Sequence, residues 1–199
     1  MKGRLHRGFT LLELMVVIVV IAVLLAIAVP TLRTVTRKSY VSSVVNSIIG
    51  DMQFARAEAA NRHQFVSICR SSTGTSCDTS GVNYDAGYIV YAYNASASGA
   101  NQAYNASTAG MVLLRVGPAQ TNVSVQATDG NIVTFGQTGL PVPNGTRTAM
   151  NMVACARLAG TKTGNGVNTS DVPGARIALG VSGSVASTKL AVSAVCTAS

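Results

Sequence analysis

The first apolar block of the chain is an unbroken run of mostly aliphatic side chains at residues 9–29, FTLLELMVVIVVIAVLLAIAV. As a helix that rises 1.5 Å per residue, this run would be about 31 Å long, which matches the ~30 Å hydrocarbon core of a bilayer. Glu13 is the only charged residue between Thr10 and Thr31, whereas the charges after Arg33 are spread thinly. The pattern predicts one membrane-spanning helix at 9–29 and excludes a polytopic membrane protein.

After Pro30 the apolar positions recur mostly at steps of three and four residues, which predicts that an amphipathic helix continues over residues 30–63. Pro30 removes a backbone hydrogen bond and predicts a bend, and Gly50 is a second weak point. One stripe of this helix should pack on a domain while the other face meets solvent or sister subunits. The stripe consists of Leu32, Val35, Val41, Val44 or Val45, Ile48, Met52, Ala55 and Ala59.

Beyond Arg62 the pattern changes to short β-rich stretches separated by clusters of Gly, Asn, Ser and Thr. Eight such stretches predict a β-sandwich. Between two of them, residues 93–110 contain the sequence YNAS twice in a matrix of Ala, Ser, Gly and Asn, and we expect a long solvated loop there. The predicted strands are residues 65–69, 87–93, 111–116, 123–127, 132–135, 149–156, 176–181 and 185–192.

Length and composition are those of one domain with an appendage. The chain has 199 residues, of which 11% are charged and 48% hydrophobic, and its mean hydropathy is +0.35. A disordered chain is excluded, since disorder needs low hydrophobicity and high net charge. The formal net charge of +8 permits an anionic partner such as nucleic acid or anionic lipid, but no run of four basic residues occurs. The charge therefore does not by itself indicate such a partner.

A cleaved secretory signal peptide is the main alternative for the N-terminus, because Lys2, Arg4 and Arg7 precede the apolar run. Against it, the run is too long, it contains a carboxylate, and no small-x-small cleavage pattern follows Pro30. Glu13 itself needs an explanation, because a charge within a membrane helix costs roughly 2.5–3.5 kcal/mol. It either reaches headgroup water or meets a cation from another chain.

The sequence Gly8-Phe9-Thr10-Leu11-Leu12-Glu13-Leu14 resembles the cleavage and methylation signature of type IV pilins and type II secretion pseudopilins. The resemblance implies that a prepilin peptidase cuts after Gly8, that the new N-terminal Phe9 is N-methylated, and that Glu13 pairs with the Phe9 amine of the preceding subunit. Basic residues are equally numerous on both sides of the apolar run, so the positive-inside rule gives no orientation. The resemblance implies a leader in the cytoplasm, a single pass through the inner membrane and a globular domain in the periplasm.

A second resemblance narrows the family. MQFARAEAANRHQFVSIC at residues 52–69 is similar to the end of the helix and the first strand of the GspH/FimT family of minor pilins and pseudopilins. The C-terminal part of the chain is also similar to that of the family, in the order of Phe135, Gly136, Gly139, Cys155, Ala175-Arg176-Ile177 and Gly183. The implied fold is the α+β type IV pilin fold, a long N-terminal helix packed on a C-terminal β-sandwich. The implied organisation is a cleaved leader at 1–8, a transmembrane helix at 9–29, an amphipathic periplasmic half of the helix at 30–63 and a β-rich domain at 64–199.

Four cysteines permit three disulfide pairings. We favour Cys69 with Cys77, which would close the loop after the first strand, and Cys155 with Cys196, which would fix the C-terminus to a strand. A zinc site is the competing interpretation, but the sequence has no CxxC pair and no nearby histidine ligand. We expect no metal.

No catalytic constellation is found, and no cofactor is expected. Once the leader is removed, His63 is the only imidazole left, and it stands at the predicted helix end, where a cation satisfies the helix dipole. Walker, Rossmann, HExxH and GxSxG motifs are absent from the sequence. The chain is not expected to be an enzyme.

Three functional hypotheses follow. The leading one is a minor pilin of a type IV pilus that assembles with other pilin subunits through its N-terminal helix, and Cys196 near the C-terminus favours the FimU-like pilins. The second is a GspH-like minor pseudopilin of type II secretion. The third is a FimT-like DNA-binding pilin. Its Gly-Arg-x-Arg motif is replaced here by Gly183-Ser184-Val185-Ala186, which leaves Arg176 and Lys189 as possible DNA contacts.

Overall fold

A computed structural model describes residues 9–78, 80–94 and 99–198. The predicted leader at 1–8, and with it the predicted cleavage residue Gly8, lies outside the described residues. The chain divides into two units, Met1–Thr36 and Arg37–Ser199.

Helix α1 spans Leu11–Arg62 and contains both Pro30 and Gly50. At its start the Glu13 backbone N–H donates to the Thr10 hydroxyl at 3.2 Å, so Thr10 is the N-cap. Near Pro30, the Thr31 hydroxyl donates to the carbonyl of Ala28 at 2.8 Å.

The described apolar side chains of the first unit are exposed. None of the residues in the most apolar part of the helix is buried. The predicted amphipathic stripe is wrong over its first two positions, because Leu32 and Val35 are 63% and 61% exposed. They lie in the first unit, with the exposed apolar residues that precede them. The buried stripe begins only at Val41.

In the second unit the helix contributes one buried stripe, and the described residues that follow the helix form nine strands. The buried helix residues are Val41, Val44, Val45, Ile48, Met52, Ala55 and Ala59, which recur at the helical period. The strands are β1 Phe65–Arg70, β2 Tyr88–Tyr93, β3 Val112–Gly117, β4 Val123–Ala127, β5 Val133–Phe135, β6 Pro141–Val142, β7 Met150–Ala156, β8 Ala175–Leu179 and β9 Val185–Lys189. A short 3₁₀ helix, Tyr84–Ala86, precedes β2.

The eight predicted strands are all present, most within one or two residues of the predicted bounds. β6 was not predicted, because it has only two residues and begins with proline, whose missing N–H disfavours a strand assignment. Strands β8 and β9 end earlier than predicted. After β8 the chain turns through Gly180 to Gly183, where the N–H of Gly180 donates to the carbonyl of Ser184.

The strands form two antiparallel sheets with the orders β3-β2-β1-β5-β6 and β4-β7-β8-β9. Val66 and Ile68 of the first sheet, Met152 and Ile177 of the second, and the buried stripe of the helix belong to one hydrophobic core. This confirms the predicted α+β fold, a long N-terminal helix packed on antiparallel sheets.

Both sheets also bury side chains on their outer faces. Cys69, Ile89, Tyr91 and Tyr93 form a cluster on the first sheet, and Tyr104 packs against it with its ring 5.3 Å from that of Tyr91. The Tyr91 hydroxyl also donates to a carbonyl of this loop. The prediction of a solvated loop at 93–110 is therefore wrong for its described residues near Tyr104; residues 95–98 lie outside the description.

The buried hydroxyl of Tyr84 is expected to make the folded domain less stable at alkaline pH. Burial raises the pKa of this hydroxyl to about 12, and the hydroxyl has no hydrogen-bond partner among the described residues. Above pH ~10 the unfolded chain loses this proton while the folded chain keeps it, so stability falls by about 1.4 kcal/mol per pH unit between the two pKa values. We expect Tyr84→Phe to be near neutral at pH 8 and more stable than the wild type at pH 11, measured by denaturant unfolding. Parallel pH profiles of the two proteins would contradict this.

Candidate assembly surfaces

The N-terminal segment presents an unpaired carboxylate above an exposed apolar helix. Phe9 is 82% exposed, and Glu13 occupies the third position of the helix after the Thr10 cap. No salt bridge involves Glu13 within the described chain. Its carboxylate is therefore available to a cation of another molecule, and the apolar side chains after it need lipid or other helices to cover them.

The two disulfides join Cys69 to Cys77 and Cys155 to Cys196, which are the pairings favoured from the sequence. The first closes the loop that follows β1. The second holds the C-terminal segment on the outer face of β7, where Cys155 and Cys196 cluster with Val153 and Leu190. The described residues contain no free cysteine and no cluster of metal-ligating side chains.

Asn168 is a second anchor of the C-terminal segment, and its role is not predictable from the sequence. Its side-chain amide donates to the carbonyls of Ala191 and Ala194, and its oxygen accepts the N–H of Gly174. A lone asparagine in a polar loop carries no signal in the sequence that would separate it from its neighbours.

A buried ion pair, also missed from the sequence, connects the 3₁₀ helix with the second sheet. Arg157 donates to the carboxylate of Asp85, and their side chains are 3% and 10% exposed. The same guanidinium donates to the carbonyls of Gln120 and Val123 at 2.9 and 3.0 Å. The second carboxylate oxygen of Asp85 accepts the N–H of Val125 at 3.1 Å. Both charges are therefore paired and hydrogen-bonded, as burial requires.

Arg56 explains two of the glycines on which the family resemblance rests. Its guanidinium donates to the carbonyl of Gly183 at 3.0 Å. Gly139 and Gly183 both have φ of +75°, and a Cβ at either position would lie 3.2–3.3 Å from Arg56. Glycine is thus required twice at the place where two turns pack on one helix residue.

The two possible DNA contacts do not share a surface. Ala175 of β8 pairs with Lys189 of β9, and Arg176 pairs with Thr188. Because paired residues lie on the same face and successive residues on opposite faces, Arg176 and Lys189 lie on opposite faces of the second sheet. The sequence placed them near one another but could not show the register.

The family model of type II transport protein GspH matches residues 44–170, more than half of the chain. The chain belongs to this family. A second model, the prokaryotic N-terminal methylation motif, matches residues 3–29 and so covers the exposed apolar segment. No curated protein matches the chain.

Two solved structures are similar to the GspH-family chain, and both are crystal structures of the type IV minor pilin FimU from Pseudomonas aeruginosa. The first, in space group P21, has 18% identity and a TM-score of 0.50, and the alignment covers 80% of this chain and 95% of FimU. The second, in space group P65, has 17% identity, a TM-score of 0.47 and coverages of 77% and 95%. At this identity the first match shows the fold, which is the type IV pilin fold.

Together these findings place the chain among the minor pilins and pseudopilins, a family of structural proteins rather than enzymes. The N-terminal apolar helix and the methylation motif fit anchoring in the inner membrane with a globular domain attached. Membership in the family implies processing by a prepilin peptidase and assembly with other pilin subunits.

Proposed function

We propose that this chain is a minor pilin of a type IV pilus, which enters the fibre through its N-terminal helix. The observation that carries the proposal is the exposed apolar segment, which follows the Gly8-Phe9 signature and is joined to a domain with the fold of FimU. Such a segment is stable in lipid before assembly and can be covered by the helices of sister subunits afterwards.

In this proposal the leader stays in the cytoplasm until a prepilin peptidase cuts after Gly8, and Phe9 is then N-methylated. The helix holds the subunit in the inner membrane, and the domain folds in the periplasm, where the two disulfides form and persist. During assembly, Glu13 pairs with the Phe9 amine of the preceding subunit.

A minor pseudopilin of a type II secretion system is the second candidate, and the matched family model, type II transport protein GspH, favours it. Both candidates use the same processing, helix and fold. DNA binding has less support, because the Gly-Arg-x-Arg motif is absent and Arg176 and Lys189 lie on opposite faces of a sheet.

The intact mass of membrane-extracted protein tests the processing. We expect the mature chain to begin at Phe9 with one added methyl group, because the motif match spans the cleavage position. A chain that begins at Met1, or near Pro30, would overturn the proposal.

Gene deletion then separates the two systems. Loss of surface pili with normal protein secretion supports the pilin, and loss of secretion with normal pili supports the pseudopilin.

A further inference from the structure

The inner face of β9 departs from the apolar pattern of the other strands. Ile177 pairs with Ser187 and Ala175 pairs with Lys189 across the β8–β9 ladder, so Ser187 and Lys189 lie on the face that holds the hydrophobic core. Of the strand's five residues only Val185 packs against that core. The core is therefore open along this strand.

A groove of about 600 Å³ lies in the second unit, between β9 and the part of helix α1 with which this unit begins. Lys38, Ser42 and Asn46 line it from the helix, and Ser187 and Lys189 line it from the strand. None of its lining residues is acidic, and neither lysine forms an ion pair within the described residues. Val41, Val45, Pro173 and Ala175 add apolar lining, so the groove is cationic but of mixed polarity, and its two lysines have no ion-pair partner among the described residues.

The backbone of β9 is also open along this groove. β9 is the last strand of its sheet. At its two ends, the N–H of Leu190 donates to the carbonyl of Gly174, and the carbonyl of Ser184 accepts the N–H of Gly180. In an antiparallel ladder these bonds alternate, so the even-numbered residues of β9 face β8. The N–H and C=O groups of Val185, Ser187 and Lys189 therefore point to the free edge.

We propose that this groove accepts an extended, acidic segment of a different pilin subunit, which pairs with the free edge of β9 and places a carboxylate between Lys38 and Lys189. The inference rests on the proposed function, since the partner is a subunit of the same fibre. Strand addition supplies backbone hydrogen bonds, and the side chains that enter the groove supply specificity.

The charges identify the partner. A lysine that points inward on an edge strand discourages indiscriminate pairing, and a carboxylate on the incoming strand removes that barrier. A second copy of this chain does not fit as the added strand, because none of the nine strands among its described residues contains Asp or Glu. The occupant is therefore a heterologous subunit.

A photo-cross-linking residue in place of Ser187 tests the inference in the bacterium that encodes the protein. Thr161, an exposed residue after β7 that does not line the groove, is the matched position. We expect the Ser187 position to cross-link an acidic extended segment of another pilin subunit, identified by peptide mass spectrometry, and the Thr161 position not to. The combined change Lys38→Glu and Lys189→Glu should lower the yield at least about tenfold, because like charges oppose docking, whereas Lys38→Arg with Lys189→Arg should retain it.

Cross-links to a second copy, to phospholipid or to DNA would overturn the inference, as would a yield that the charge reversal leaves unchanged. Both lysines are exposed, so the variants should fold, and an intact Cys155–Cys196 disulfide checks this. If the wild-type chain is absent from sheared fibres, the proposed function fails. If it is present but Ser187 gives no cross-link, only this inference fails.

Discussion

Arg157→Met is expected to lower the free energy of unfolding by about 3–5 kcal/mol, the cost of leaving one member of a buried ion pair without its partner. The Asp85 carboxylate would stay in a site where it is only 10% exposed. The carbonyls of Gln120, Val123 and Gly164 would lose their donor at the same time. The methionine fills much of the volume, so the loss reports charge and hydrogen bonding more than a cavity.

Two further variants separate this explanation from a general effect of the substitution. Arg157→Met combined with Asp85→Leu removes both charges and should be less destabilising than Arg157→Met alone, because no charge stays buried. Arg62→Met breaks the exposed pair with Glu58 and should cost about 0–1 kcal/mol. Denaturant unfolding of the full chain in detergent provides the measurement. Equal losses for Arg157→Met and Arg62→Met would show that the buried pair contributes no more than a surface pair.

The elements of this fold are largely predictable because their signals are local. A 3.6-residue period over many turns marks the helix, and β-rich runs bounded by Gly and Asn mark the strands. The sequence-based predictions are wrong where contacts between residues distant in sequence determine the structure. Leu32 and Val35 continue the period of the helix but are exposed, and the buried stripe begins only at Val41. Tyr104 lies in a polar loop but is placed against Tyr91 by contacts distant in sequence.

The candidate sites divide in the same way. The signature at Gly8, Phe9 and Glu13 lies in one short segment, so it can be recognised from the sequence without knowledge of the fold. The pairing of Asp85 with Arg157 joins residues 72 positions apart, and no periodicity marks a charge that will be buried. The separation of Arg176 from Lys189 depends on strand register, in which a shift of one residue moves a side chain to the other face.

Glu13→Ala and Glu13→Gln are both expected to lower incorporation into fibres by at least about tenfold. In the proposed pairing, loss of the carboxylate leaves the Phe9 ammonium of the preceding subunit among apolar helices with no counter-ion. Truncating one partner of a buried charge pair costs roughly 2–5 kcal/mol, and each 1.4 kcal/mol is a factor of ten. Insertion into the bilayer becomes easier at the same time. The variants should therefore accumulate in the inner membrane, and the measurement is the ratio of protein in sheared fibres to protein in the membrane.

Helix capping offers Glu13 a competing role, and the glutamine variant distinguishes the two. Thr10 and Glu13 have the spacing of a capping box, and the Thr10 hydroxyl already accepts the Glu13 N–H. Glutamine keeps the capping capacity but not the charge, whereas Thr10→Val removes the cap and keeps the charge. If the charge pairs with an amine, Glu13→Gln fails to assemble and Thr10→Val assembles. If Glu13 acts only in capping, the two results are reversed, and the intersubunit pairing is wrong. The second unit should fold in every variant, because its core begins at Val41 and includes no residue of the N-terminal segment.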